Sequence, residues 1–126
     1  MKESSFQFSE PRLIFLNFDL NKNFEKDAYE GFSLNNEVTK HIITEDKEAL
    51  VILTLTIGEK SNKSPFYIEL KTSAKFKCED SCMFNKLIDT NAPAMLLSYA
   101  RPIVSLITSQ SGYNAFNIPF MNFVNE

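Results

Sequence analysis

The sequence has no tryptophan, three glycines, two cysteines and a single histidine among 126 residues. Each shortage removes a class of chemistry. Gly31, Gly58 and Gly112 lie far apart, so they cannot build the clustered turn whose backbone N–H groups cradle a phosphate. Cys78 and Cys82 are spaced Cys-x-x-x-Cys, with His41 as the only histidine. They fall short of the four nitrogen and sulfur ligands of a structural zinc site, and a metal would have to borrow carboxylates or a second subunit. The pair reads as two reduced thiols near a strand end. A Ser-His-Asp arrangement could use only His41, which sits in the polar tail of a strand with no nucleophile marked beside it. Glu25, Asp27, Glu45, Asp46 and Glu48 stand in turns next to lysines, as solvated charge does. No enzyme, metal or cofactor is expected.

Cations are also in short supply. A net charge of −3 and a pI near 5.2 disfavour nucleic acid and anionic membrane, both of which are held chiefly through lysine and arginine. No apolar run approaches the ~20 residues that cross a bilayer. Met1-Lys2-Glu3-Ser4-Ser5 has no signal-peptide core, and the expected address is cytoplasmic.

What the sequence does hold is phenylalanine: twelve, with four tyrosines, in a chain that is 44% hydrophobic and 23% charged. That balance suits a folded globular protein, and the length suits one domain over residues 1–126. So many rings are hard to hide within one protomer, so apolar surface is expected to face a partner.

Residues 13–20 read as a first strand, with one face buried and the other half-buried. A polar, aromatic-studded connection over residues 21–31 follows. Phe32, Leu34, Val38 and Ile42 then share one side of a second strand, with Asn35-Asn36 placed to form a bulge. Residues 49–57 are apolar on both faces at their start, as in a strand with neighbours on each side. Residues 66–76 alternate cleanly, with Phe66, Ile68, Leu70, Thr72, Ala74 and Phe76 facing in. Residues 78–90 show no clear pattern. Pro93 then marks the start and Gly112 the end of one amphipathic helix. Its apolar stripe is Leu96, Tyr99, Ala100, Ile103, Leu106 and Ile107, widened by Leu97 and Val104. The prediction is an α+β domain: a four-stranded antiparallel sheet packed with one long C-terminal helix.

This architecture leaves a surplus. Four strands about 4.8 Å apart make a sheet roughly 15 to 20 Å wide, whereas one helix covers a stripe about 10 Å across. At about 25 cal/mol per Å², several hundred Å² of wet apolar surface would cost many kcal/mol. A homo-oligomer, dimer or tetramer, or an apolar ligand is the expected answer.

Four segments resemble the SecB family of export chaperones. Pro93-Ala94-Met95-Leu96-Leu97-Ser98-Tyr99-Ala100-Arg101 is similar to the Pro-x-x-Leu-x-x-Tyr-Ala-Arg run that opens the family's long helix. Phe24-Glu25-Lys26-Asp27 resembles the Phe-Gln-Lys-Asp of its crossover loop, and Pro65-Phe66-Tyr67-Ile68-Glu69-Leu70 its fourth strand. Phe116-Asn117-Ile118-Pro119-Phe120-Met121-Asn122-Phe123 resembles its Leu-Asn-Leu-Ala-Pro-Val-Asn-Phe linker. The four occur in the family's order with compatible spacing.

The resemblance implies a protein that holds unfolded or partly folded polypeptides in apolar grooves, with no cofactor or nucleotide. It implies a groove lined by Phe24, Tyr29, Phe32, Leu34, Phe116, Ile118, Phe120 and Phe123. Rings give large, geometry-tolerant contact, suited to clients with no common sequence. Phe32 and Leu34 fit core and groove equally; Phe24 and Tyr29, in a polar loop, fit the groove. The sequence ends at Glu126, where the family continues into a second helix and an acidic tail, so the likeness is to a short form. Arg12 and Leu16 stand where the family places acidic positions that dock the SecA motor, although Glu69 is kept, which leaves SecA open as a partner. Two further readings accompany the export chaperone: a chaperone dedicated to one toxin–antitoxin client, and an adaptor or structural oligomerisation module.

Overall fold

The strongest apolar alternation lies in the two segments that become the middle of a sheet. In the computed structural model, which describes residues 6–29, 31–61, 63–119, 121 and 123, the strands are β1 (Phe6–Leu20), β2 (Leu34–Thr44), β3 (Glu48–Gly58) and β4 (Phe66–Cys78). They pair antiparallel in the order β1-β4-β3-β2. Val51, Leu53, Leu55 and Ile57 of β3 and Phe66, Ile68, Leu70, Ala74 and Phe76 of β4 all point to one side and are fully buried. The opposite side of β3, with Leu50 and Ile52, is half-buried, as the two-faced start of that segment predicts.

The helical layer differs from expectation at its beginning. Residues 78–90 are not irregular: α1 (Ser81–Lys86) starts there, and the Asp80 carboxylate accepts the Cys82 N–H at 3.0 Å. This is an ordinary N-cap, placed ahead of a run too short to show periodicity. A π-wound turn follows at Leu87–Asn91, in which the Ala92 N–H donates to the Leu87 carbonyl. It leads directly into α2 (Ala92–Ser109). Pro93 therefore does not open the helical layer but sits just past the wide turn, where its missing N–H interrupts least. The C-terminal boundary falls where the sequence places it, with Gly112 in the left-handed region at φ 89°.

The helix also turns a different face to the sheet. Leu96, Leu97, Ala100, Val104 and Thr108 are buried, whereas Ile103 and Ile107 are half-buried and Tyr99 and Leu106 exposed. The apolar stripe is wider than the contact, and small Ala100 and branched Val104 allow the closer approach. Because α2 lies over β3 and β4, the outer strands stay uncovered.

That offset corrects the reading of the first strand. Leu13, Ile14, Phe15, Leu16 and Leu20 are exposed rather than buried on one face, because β1 is an edge strand that α2, lying mainly over β3 and β4, touches only at its margin. The strand is also longer than predicted. It begins at Phe6 and passes through Ser9-Glu10-Pro11 as a bulge, with Glu10 at φ 55° and a register shift between Ser9 and Arg12. Proline is tolerated on an edge, where a lost donor leaves no ladder unpaired. A second shift lies between Leu13 and Phe15. In β2 the expected bulge at Asn35-Asn36 is absent. Register runs unbroken from Leu34 to Ile42, and the irregularity falls between Ile42 and Thr44, next to the turn. Both asparagines are exposed on the edge strand, where water satisfies their amides without distortion.

Cys78 is buried at the end of β4 and Cys82 is exposed, both as free thiols. Among the described residues no three His, Cys, Asp or Glu side chains gather to hold a metal, and no helix is long and apolar enough to cross a membrane.

Candidate functional site

Residues 21–33 cross from one edge of the sheet to the other, and asparagine chemistry fixes their start. The Asn21 N–H donates to the Pro65 carbonyl at 2.9 Å, and its side-chain amide donates to the carbonyls of Ser64, at 3.0 Å, and Ser61. Its Oδ1 accepts the Asn23 N–H at 3.1 Å, a turn that asparagine favours. A 3-10 turn at Lys26–Ala28 follows. The far end is pinned by a reciprocal pair: the Gly58 N–H donates to the Ser33 carbonyl at 2.9 Å, and the Ser33 hydroxyl to the Gly58 carbonyl at 3.1 Å.

Held at both ends, the crossing places its rings in series. Phe24 and Tyr29 meet edge to face at 5.9 Å between centroids, and Tyr29 and Phe32 at 5.6 Å. Phe32 stacks on fully buried Phe66 at 4.7 Å and meets Phe116 at 4.9 Å. Tyr113 closes the outer end against Phe24 at 5.7 Å, again edge to face. The geometries are those that aromatic quadrupoles favour. One chain of rings thus runs from solvent to core: Tyr29 and Tyr113 are 41% and 45% exposed, and Phe66 is wholly enclosed. Beside its outer end lies a hollow of about 370 Å³ lined by Phe24, Lys26, Tyr29, Pro65, Tyr113 and Asn114.

Of the residues named from sequence, Phe24, Tyr29, Phe32 and Phe116 come together in this series. Leu34 begins β2 opposite Ile57 and packs half-buried on the core. Ile118 is buried, 6% exposed, and Phe123 packs on the core beyond it. Phe120 lies outside the described residues. Tyr113 was missed by sequence reasoning. The available signal was its position next to Gly112, the reversal that swings the chain back across the end of α2.

A second apolar hollow, of about 310 Å³, lies between the first half of β1 and α2, lined by residues including Phe8, Phe76, Met95 and Tyr99. The ion pairs Lys40–Asp89 and Lys75–Glu10, each at 3.2 Å, are half-exposed and lie outside both hollows. The surface therefore offers area, rings and two outer sheet edges.

Comparison with known proteins agrees with the fold. The model of the family described as preprotein translocase subunit SecB matches residues 13–125. No curated protein matches the chain. Among solved structures, the Rv1957 SecB-like chaperone of Mycobacterium tuberculosis, in complex with a ChAD peptide from the Rv1956 HigA1 antitoxin, superposes with a TM-score of 0.65. It is 14% identical, over 93% of this chain and 91% of that one. A protein of unknown function from Streptococcus agalactiae superposes at 0.59 with 16% identity, over 91% and 97% of the two chains. At these identities the structures speak for the fold. The family model spans all but the first dozen residues and the last, and on that match the chain belongs to the SecB family of chaperones.

Proposed function

We propose that residues 1–126 act as one chaperone unit that binds apolar segments of unfolded or partly folded polypeptides on the aromatic series. Phe24 and Tyr29 form the first contact and Phe32 and Leu34 the floor, and the family resemblance adds the linker residues Phe116, Ile118, Phe120 and Phe123 as further client contacts. The observation that carries this reading is the run of rings from half-exposed Tyr29 to buried Phe66. A monomer gains nothing in stability from keeping large rings in water. Family membership supports a cytoplasmic address. The antitoxin peptide bound by the mycobacterial neighbour supports polypeptide clients and makes a toxin–antitoxin client a reading alongside export.

Light scattering of a chemically denatured, aggregating client tests the proposal. Suppression near one client per binding unit is expected. A stable homo-oligomer that leaves aggregation unchanged would support the adaptor reading instead.

The same accounting supports self-association. Phe8, Leu13, Ile14, Phe15, Leu16 and Leu20 of β1, with Tyr99 and Leu106 of α2, are large, apolar and exposed in the single chain. Beyond Gln7, β1 is an edge strand paired only with β4, so its outer edge is open to further main-chain pairing. We propose a dimer or tetramer built on this side. Analytical ultracentrifugation should find such a species, and the pair Ile14→Asp and Leu16→Asp should convert it to monomer. An unchanged sedimentation coefficient in that variant would move the interface off β1.

A further inference from the structure

We infer that residues 114–119 occupy a peptide-binding track on α2 that takes client segments in their place. This rests on the chaperone reading above and goes beyond it by naming the track, its latches and its resident. The segment belongs to no helix or strand, and it is held in two ways. Its side chains Phe116 and Ile118, two residues apart, insert against Phe32 and the core. Its main chain is latched twice. The Phe116 N–H donates to Thr108 Oγ1 at 2.7 Å, and Arg101 Nη2 donates to the Pro119 carbonyl at 3.2 Å.

The latches carry the argument. Both bond to main-chain atoms, an N–H and a carbonyl three residues apart, and every extended polypeptide without proline at the first position offers the same pair. Neither latch reads a side chain of the resident segment. Thr108 is fully buried, and its hydroxyl, which donates to the Val104 carbonyl at 2.8 Å, is left with its acceptor side turned to the track. Arg101 Nε is buried and has no partner among the described residues, so the resident segment does not use the full donor capacity of the guanidinium. The track thus selects an extended segment with two apolar side chains at positions n and n+2. Client affinity is then lowered by the fraction of chains whose track is closed by their own segment.

For Phe116 and Ile118 the contact role proposed above is replaced by that of a resident occupant, so loss of the Ile118 side chain should favour the client and not weaken it. In the full chain, Ile118→Ser weakens the resident without touching the latches. Binding of carboxymethylated α-lactalbumin, a permanently unfolded polypeptide, measured by fluorescence anisotropy, should tighten about threefold to tenfold. Adding Arg101→Ala to that variant should remove the gain, because the client loses the same latch. Equal or weaker binding by Ile118→Ser overturns the inference. If Ile118→Ser does not fold, hydrogen exchange on the unsubstituted protein decides. The Phe116 amide should exchange faster when α-lactalbumin is bound, and unchanged or greater protection overturns the inference. Failure of the unsubstituted protein and of Ile118→Ser alike to bind α-lactalbumin would instead reject the chaperone reading itself.

Discussion

With Phe24→Ser and Tyr29→Ser combined, the protein should remain folded and lose the ability to keep a denatured client from aggregating. The two rings touch each other edge to face and join the series at Tyr113 and Phe32. Removing both takes away the solvent-facing half of the proposed contact. Aromatic contacts of this kind are worth about 0.5 to 1.5 kcal/mol each beyond the apolar area they cover. Loss of two, with their area, should weaken client binding by roughly thirtyfold or more. The fold should tolerate the change, because the crossing is fixed by the main chain and by Asn21, and Tyr29 already stands 41% exposed. The check is aggregation suppression alongside thermal unfolding followed by circular dichroism. Intact suppression by a folded double variant would exclude the crossing from the binding surface.

The largest stability effect is expected at Gly58→Ala. Gly58 adopts φ 81°, and a Cβ there would run into the carbonyl oxygen of Phe66, a main-chain atom fixed at the start of β4. Two penalties combine: a left-handed conformation that side chains disfavour, and a collision with backbone that cannot rotate away. A loss of about 2 to 4 kcal/mol follows, seen as a fall in Tm of roughly 10 °C. The reciprocal Ser33–Gly58 hydrogen bonds set the entry into β2 one residue after Phe32, so client binding should decline together with stability. A shift in Tm below about 3 °C would mean that the turn yields more easily than this geometry allows.

The same crossing shows how far sequence carried the reading and where it stopped. A two-faced apolar run in residues 49–57 and clean alternation in residues 66–76 located both central strands. Edge strands carry weaker signals, because nothing forces their two faces apart. The first strand therefore reads from Leu13 although it begins at Phe6, and Asn35-Asn36 reads as a bulge although it is plain strand. In α2 the periodicity was read correctly but the buried face was not, because Tyr99 and Leu106 are as apolar as Leu97 and Val104. Only the position of the sheet decides between them. At the site, Phe24 and Tyr29 are legible as rings in a polar crossing, whereas Phe32, at the start of the expected second strand, fits core and groove equally. Tyr113 is not legible, since its neighbour Phe24 lies 89 positions away in the chain. The latches on Thr108 and Arg101 leave no trace in composition, because they hold main chain and not side chain.

The two register shifts in β1 have a consequence for solubility. A protein that keeps greasy strands in water courts endless edge-to-edge stacking, the geometry of a fibre. A straight ladder of 15 residues would template it. The left-handed step at Glu10 and the extra residue before Phe15 break that ladder into short, differently twisted pieces. Such an edge can dock once against a partner of matching shape, but it cannot repeat indefinitely. The molecule is thereby shielded from the fate it spares its clients.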